Sequence, residues 1–153
     1  MKSLSVIIPC FNEEEVLHES YRRTKAVLDT LPCDAGIIYI NDGSRDRTRM
    51  ILDELAASDR RVKVLHFSRN FGHQPAVSAG IRNCHTDLAI IMDADLQDPP
   101  ELIPEILALR EKEQANSIYC VRRSRDKESF FKLFTARLFY RTMNRMSEVE
   151  FPL

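Results

Sequence analysis

Five short apolar segments, separated by helical patterns, constrain the fold of this chain more than any other feature of its sequence. They lie at residues 4–9, 35–41, 62–67, 87–92 and 116–121. Each segment is rich in Val, Ile or aromatic residues and nearly free of polar interruptions, which is typical of parallel strands covered on both faces. Strands that alternate with helices in this way predict an α/β fold, with a mostly parallel sheet flanked by helices.

Four helical patterns lie between and after these segments. Apolar stripes at helical spacing occur in residues 16–31 and 51–55. Pro75 opens a third helix, where proline loses no hydrogen bond, and Asp98 is predicted to cap a fourth one. Ligands of such sheets bind beyond the carboxyl ends of the strands. The predicted rim therefore consists of the loops "PCFNEEE", "NDGSRD", "SRNFG" and "DADLQD".

Length and composition set the class of protein. The 153 residues carry a net charge of -1 and 44% of them are hydrophobic, which indicates one soluble globular domain. The four cysteines lie far apart without the spacing of a zinc or redox motif, so we expect reduced thiols in a cytosolic protein. No apolar run approaches the roughly 20 residues of a membrane-spanning helix, so none is expected.

The loop "DADLQD" carries the strongest chemical signal. Neither G-x-G-x-x-G nor G-x-x-x-x-G-K occurs in the chain, so phosphate is not predicted to be held by a glycine-rich loop. Asp93 and Asp95 alternate around Ala94, so that two carboxylates address one small volume. Gln97 adds a neutral oxygen, and such ligands suit Mg²⁺ or Mn²⁺ bound to a diphosphate. A capping role explains Asp98 well but explains the other two aspartates poorly, which favours a metal site.

Four segments, in order and spacing, resemble the motifs of glycosyltransferase family 2, which has the GT-A fold. They are "SVIIPCFNEEE", "INDGSRDRT", "SRNFGHQPAVSAG" and "IIMDADLQDPPELIPEIL". The last segment and the later "VRRSRDKESFFKLFTARLFYRTMNR" are similar to one branch of that family. This branch transfers sugars from nucleotide donors to polyprenyl phosphates, as dolichol-phosphate mannose synthase and bacterial undecaprenyl-phosphate glucosyltransferases do. The resemblance covers nearly the whole chain and implies a GT-A fold with a Rossmann-like nucleotide-binding half.

The resemblance implies two groups of site residues on the rim. The residues that would bind a nucleotide-sugar donor are Pro9, Phe11, Glu13, Asp42, Asp93 and Ala94. The first three would line the nucleoside pocket. The residues that would hold Mg²⁺ or Mn²⁺ are Asp93, Asp95 and Gln97. Asp42 would hydrogen-bond the nucleobase, although the "NDGS" sequence around it is also typical of a simple turn.

The chain has an acidic body and a basic segment after it. Residues 122–145 hold eight Lys or Arg against Asp126 and Glu128. By the same resemblance, Arg122 and Arg125 would contact the phosphate of the acceptor, since the planar guanidinium matches phosphate oxygens. Plain surface charge explains these two arginines equally well.

Residues 129–146 combine apolar side chains at helical spacing with a stripe of arginines. Such a helix lies on a membrane surface, or else packs on the domain with a solvated basic face; the resemblance favours the membrane. We therefore expect a donor-binding core at 1–121, an acceptor loop and amphipathic helix at 122–153, and a cytoplasmic protein peripheral to the inner face of the cell membrane. No nucleic-acid motif occurs, so nucleic acid is not an expected partner.

The implied reaction is an inverting transfer of a sugar to a polyprenyl phosphate, with a UDP-sugar favoured over a GDP-sugar as donor. The relatives carry their catalytic base downstream of these motifs, so we expect it beyond Leu153. We accordingly expect the chain to stop before the rest of the catalytic domain, to bind donor and metal, and to transfer sugar poorly by itself. The sequence specifies neither the sugar nor the oligomeric state, and a homo-oligomer is compatible with it.

Three alternatives stay open from the sequence. Another family 2 transferase, for polysaccharide or glycolipid, would share the donor half and differ in the acceptor half. An inactive nucleotide-binding fragment would bind UDP as a partner module without turnover. A signalling receiver domain would need acidic residues after its first and third strands and a lysine after its fifth. Here the acidic cluster follows the fourth segment and Arg122 follows the fifth.

Overall fold

The structure of the chain is a computed structural model that describes residues 3–120. The strands in that range are β1 (Ser3–Cys10), β2 (Asp34–Asn41), β3 (Val62–His66) and β4 (Leu88–Ile91). The helices in that range are α1 (Leu17–Leu28), α2 (Thr48–Ser58), α3 (His73–Arg82) and α4 (Ile103–Glu113). A 3-10 turn at Pro100–Leu102 leads into α4. Strands and helices alternate, as the apolar segments predict.

The strands form one parallel sheet in the order β3-β2-β1-β4. Ile7 of β1 pairs with Ile38 of β2 on one side and with Ile91 of β4 on the other. At the amino edge, the backbone N–H groups of Ser3 and Asp87 each donate to the other residue's side chain at 3.0 Å. Because all strands run in one direction, their carboxyl ends meet at the opposite edge. The predicted α/β fold with a parallel sheet is confirmed.

Alternate residues of the central strands pack on opposite faces of the sheet. Val6 and Ile8 belong to the larger core, which contains buried residues of α1, α2 and α4. Ile7 points to the other face and packs with Ala76 of α3. Burying a side chain of this size stabilises the fold by about 1.5–3 kcal/mol. A methyl group on Gly80 of α3 would meet the side chain of Ile7, so this helix lies close against the sheet.

Three local predictions differ from the structure. The fifth apolar segment forms no strand over residues 116–120, the part of it described, and Tyr119 is 86% exposed. A strand needs a neighbour to bond its backbone, and none of the described strands pairs with this segment. The 3-10 turn before α4 has Pro99 rather than Asp98 at its N-cap, and no side chain caps it. α3 begins at His73, so Pro75 lies within its first turn, where proline still loses no hydrogen bond.

Met1–Asn116 form one compact unit, and Ser117–Leu153 form a second unit, of which residues 117–120 are described. The predictions for Arg122, Arg125 and the segment 129–146 therefore lie outside the described residues. In the part of the chain that the structure describes, no helix is long and apolar enough to cross a bilayer.

Candidate functional site

The loops at the carboxyl edge of the sheet surround one cleft with a volume of about 310 Å³. The loops after β1, β2, β3 and β4 all contribute to its wall. The lining residues are Pro9, Cys10, Phe11, Glu13, Asp42, Asn70, Gly72, His73, Ala76, Asp93, Ala94 and Asp95. The carboxyl edge of a parallel sheet is where α/β folds bind ligands, so this cleft is the candidate site.

Hydrogen bonds join the loop after β1 to the loop after β2. The N–H of Asn12 donates to Ser44 Oγ at 3.0 Å, and Asn12 Oδ1 accepts the N–H of Arg45 at 2.9 Å. The N–H of Glu13 donates to Thr48 Oγ1 at 2.8 Å. Asn12 has a φ of 57°, a left-handed conformation that asparagine adopts more readily than most residues. The two loops therefore form one wall, which carries Glu13 into the cleft.

Asp42 joins the loop after β2 to the loop before α3. It is 3% exposed, and its Oδ1 accepts the N–H of Phe71 at 2.8 Å. Its Oδ2 accepts the N–H of Gly72 at 2.9 Å. The neighbouring Gly43 has a φ of 68°, and a methyl group there would lie 2.5 Å from the backbone nitrogen of Asn70. Both the backbone angle and the close approach require glycine at this position.

Two aspartates of the loop after β4 face the cleft. Ala94 is buried in the core, and Asp93 and Asp95 on either side of it line the cleft, as their alternation predicts. Asp93 Oδ1 lies 3.9 Å from Nδ1 of His73, which is in the first turn of α3. Asp95 Oδ1 accepts the N–H of Gln97 at 3.0 Å. A turn hydrogen bond therefore engages one of the two Asp95 oxygens.

The carboxylates around the cleft act on one another. The pKa of Glu13 is raised by burial and by the negative charges of Asp95, Asp46 and Asp93. The pKa of the Cys10 thiol is raised by burial and by the charges of Glu13 and Asp93. Cys10 is therefore a protonated thiol at neutral pH, which is not a nucleophile. The surplus of negative charge favours a bound cation.

The oxygen ligands in the cleft suit a divalent cation that is bound by the protein and by a diphosphate together. Mg²⁺ is usually held by one or two carboxylates together with substrate phosphates and waters. The side chain of Asp93 is 50% exposed, and Asp95 has a second oxygen beside the one in its turn bond. Among residues 3–120, no three His, Cys, Asp or Glu side chains form a cage for a metal ion. The residues present fit a cation whose coordination is completed by ligand phosphates.

Most of the predicted site residues meet in this cleft. Those that line it are Pro9, Phe11, Glu13, Asp42, Asp93, Ala94 and Asp95. Gln97 is exposed and is not part of the lining, and Arg122 and Arg125 lie outside the described residues. The sequence placed the "SRNFG" loop on the rim without indicating that Asn70 and Gly72 face inward. The roles of all these residues stay predictions.

The chain has close relatives among known proteins. It is 44% identical over 149 residues to the uncharacterised glycosyltransferase YkcC of Bacillus subtilis, a match that covers 97% of this chain and 46% of that protein. It is 39% identical over 146 residues to the bactoprenol glucosyl transferase of Shigella phage SfV, a match that covers 94% of this chain and 47% of that protein. The chain thus spans about half the length of the curated relatives it matches.

Solved structures share the fold at low sequence identity. The mannosyltransferase PcManGT from Pyrobaculum calidifontis, solved in complex with GDP-Man and Mn²⁺, has a TM-score of 0.67 and 19% identity over 80% of this chain and 36% of its own. TarS 1-349 of S. aureus has a TM-score of 0.64 and 20% identity over 84% of this chain and 40% of its own. These neighbours confirm the GT-A fold.

A family model described as glycosyl transferase family 2 matches residues 5–151 of the sequence, and the chain belongs to that family.

Proposed function

We propose that the chain forms the donor-binding part of an inverting transferase, which moves a sugar from a UDP-sugar to a polyprenyl phosphate with the help of a divalent cation. The observation that carries the proposal is the cleft at the carboxyl edge, where Asp93 and Asp95 meet the predicted nucleoside-binding residues. Family membership supports it, and so does a relative at 39% identity that is named a bactoprenol glucosyl transferase. The polyprenyl acceptor is inferred from that relative's name.

The nucleoside is proposed to lie on the wall formed by the loop after β1. Phe11 lines the cleft and is 42% exposed, which offers a flat apolar surface on which a nucleobase can stack. Pro9 restricts the backbone two residues earlier, so the position of this ring is set by β1. The carboxylate of Glu13 accepts hydrogen bonds and repels phosphate, so it suits the ribose hydroxyl groups better than the diphosphate.

Asp93 and Asp95 are proposed to hold Mg²⁺ or Mn²⁺, with Gln97 as the predicted third oxygen ligand. The Mn²⁺ in the PcManGT complex supports a divalent cation in this fold. The bound cation would neutralise the diphosphate as a leaving group. The negative charges of Glu13, Asp93 and Asp95 attract a cation and repel an uncomplexed diphosphate. These aspartates therefore orient the donor through the cation rather than through direct hydrogen bonds.

The transfer step depends mainly on the position of the reactants and on the neutralisation of charge, and it needs few catalytic side chains. A phosphate oxygen of the acceptor would form a bond to the anomeric carbon while the bond from that carbon to the diphosphate oxygen breaks, which inverts the configuration. A phosphate acceptor is already ionised near neutral pH, so positioning and charge neutralisation carry much of the rate. Arg122 and Arg125 are the predicted contacts of the acceptor phosphate. We expect little sugar transfer by the 153-residue chain alone, and transfer at the rate of a full-length relative would contradict this expectation.

The acceptor implies a protein that works at a membrane. We propose that residues 129–146 lie on the inner face of the cell membrane through their apolar side chains and arginines. Co-sedimentation with vesicles tests this proposal. We expect binding to vesicles that contain anionic lipid, with a marked loss when Arg137, Arg141 and Arg145 are replaced by Gln. Equal sedimentation of that triple variant and the unchanged chain would refute the electrostatic part of the proposal.

Calorimetric titration of the chain with UDP, GDP and UDP-glucose, each with and without Mn²⁺, tests the donor site. We expect UDP to bind only with Mn²⁺, and Asp95→Ala to weaken binding by roughly tenfold or more, because a charge-assisted contact is lost. Asp34→Ala is the matched control, since Asp34 is an exposed aspartate at the amino end of β2. If GDP binds more tightly than UDP, the assignment of the donor base is wrong.

Two results would overturn the donor-site proposal. The first is an equal loss of UDP affinity in Asp34→Ala and Asp95→Ala. The second is the absence of nucleotide binding both by the folded chain and by a protein with the full length of the relatives. Binding by the longer protein alone would show that downstream residues complete the pocket.

A further inference from the structure

We propose that Asp42 is a positioning residue, which holds residues 69–72 and the start of α3 in place as one wall of the donor cleft. This role is additional to the predicted contact with the nucleobase, because both carboxylate oxygens bond to the backbone of the neighbouring loop. The inference rests on the proposed function only in its last step, which leads from the position of the loop to the affinity for the donor.

Both carboxylate oxygens of Asp42 are engaged by the protein itself. Oδ1 accepts the N–H of Phe71 at 2.8 Å, and Oδ2 accepts the N–H of Gly72 at 2.9 Å. The residue is 3% exposed, so little water competes for these bonds. A buried carboxylate needs hydrogen-bond donors, which are here the N–H groups of Phe71 and Gly72. Both N–H groups lie just before α3, and the amino end of a helix carries partial positive charge. Asp42 and the loop before α3 therefore stabilise each other.

Two glycines let the loops approach closely enough for these bonds. A methyl group on Gly43 would lie 2.5 Å from the nitrogen of Asn70 and 2.6 Å from Cα of Arg69, so the two backbones are in direct contact. Gly72 has a φ of 99° and a ψ of 163°, a combination that only glycine adopts readily, and α3 begins directly after it. In this conformation the backbone N–H groups of Phe71 and Gly72 reach the carboxylate of Asp42.

The segment that Asp42 holds contributes directly to the cleft. Asn70, Gly72 and His73 all line it. Asp93 Oδ1 lies 3.9 Å from Nδ1 of His73, so this wall also borders the proposed metal site. A loop released from Asp42 would have to be ordered again by each donor molecule that binds, which lowers affinity. Asp42 thereby sets donor affinity by preorganising the wall.

Amide hydrogen exchange in the full 153-residue chain tests the positioning role directly. In Asp42→Asn one oxygen is replaced by an NH₂ group, which cannot accept an N–H bond. We expect the amides of Phe71 and Gly72 to exchange about tenfold faster or more in this variant. Asp93→Asn is the matched control, because it removes a cleft charge without touching these bonds, and it should leave both exchange rates unchanged.

Titration with UDP and Mn²⁺ then links the loop to the donor. We expect Asp42→Asn to weaken the binding of UDP and also the binding of ribose 5-diphosphate, which lacks a base. Unchanged exchange at both amides in Asp42→Asn would overturn the positioning role. A loss for UDP alone would show that Asp42 acts on the base. If neither the unchanged chain nor a protein with the full length of the relatives binds nucleotide, the proposed function fails, while the exchange rates still judge the role of Asp42 in holding the loop.

A measurement on the unchanged chain covers the case in which Asp42→Asn does not fold. Scalar coupling across a hydrogen bond, from the amide nitrogens of Phe71 and Gly72 to the carboxylate carbon of Asp42, reports the two bonds directly. Coupling at both amides supports the positioning role, and its absence at both refutes it.

Discussion

The substitution Asp59→Asn tests how much one side-chain cluster contributes to the stability of the fold. Arg61 donates to Asp59 through Nε at 3.2 Å and through Nη2 at 3.0 Å. The hydroxyl of Tyr21, on α1, donates to the same carboxylate at 3.0 Å. These bonds, above all those from the Arg61 side chain, lower the pKa of Asp59 to about 2. The cluster joins α1 to the turn between α2 and β3.

The pKa gives the size and the sign of the effect. A drop from 3.8 to about 2 corresponds to about 2 kcal/mol of folding free energy at neutral pH. The side chains of Asp59 and Arg61 are 13% and 33% exposed, so we expect screening to reduce this to about 1–2 kcal/mol. Because the pKa is lowered on folding, the stabilisation is complete well above pH 3.8 and is lost as pH falls, with about half remaining at pH 3.

Urea unfolding at pH 7 and at pH 3 measures the effect. At pH 7 we expect Asp59→Asn to lower the urea midpoint by roughly 0.5–1 M, given a dependence of about 2 kcal/mol per molar urea, the middle of the typical range. At pH 3 the deficit should be about half as large, because part of the stabilisation is already lost in the unchanged chain. The control Asp34→Asn should change neither midpoint. A deficit of equal size at both pH values would refute the electrostatic argument.

Two further predictions concern the cleft. Glu13→Gln should raise the thermal midpoint of unfolding at pH 7 and leave it unchanged below about pH 4. The reason is that the raised pKa of Glu13 makes its ionised form destabilise the fold. Thermal unfolding at both pH values checks this, and a lowered midpoint at pH 7 would contradict it. Gly43→Ala should cost about 2–5 kcal/mol, the sum of left-handed strain and a clash with the backbone of residues 69–70. Denaturant unfolding measures this cost, and a value below about 1 kcal/mol would show that the loops do not approach as described.

The sequence predicted the sheet well where the signal is local. A continuous run such as residues 4–9 is apolar on both faces of a strand, and β1 extends over it at Ser3–Cys10. Residues 116–121 have the same local composition but form no strand over their described part. The two segments differ in whether a neighbouring strand is present. β1 lies between two strands, whereas none of the described strands pairs with residues 116–120. Composition alone does not reveal whether a partner is present.

The site was predicted in part for a related reason. Strand ends placed Phe11 and Asp93 on one rim, because all carboxyl ends of a parallel sheet meet there. The bonds that shape the rim join residues far apart in the chain, such as Glu13 and Thr48, which are 35 residues apart. No periodicity in the sequence reports such pairs. The burial of Asp42 is likewise invisible in "NDGS", which reads as an exposed turn.

The strand order has a consequence for the way this protein is made. β1 lies inside the sheet, between β2 and β4, and its neighbour β4 follows after the whole of β2 and β3. The mutual hydrogen bonds of Ser3 and Asp87 span 84 residues. At about 5–20 residues per second, a ribosome needs roughly 4–17 s to synthesise that stretch. During this time the edge of β1 that later pairs with β4 has no partner, and an unpaired edge of an apolar strand is a site of aggregation until β4 has been made.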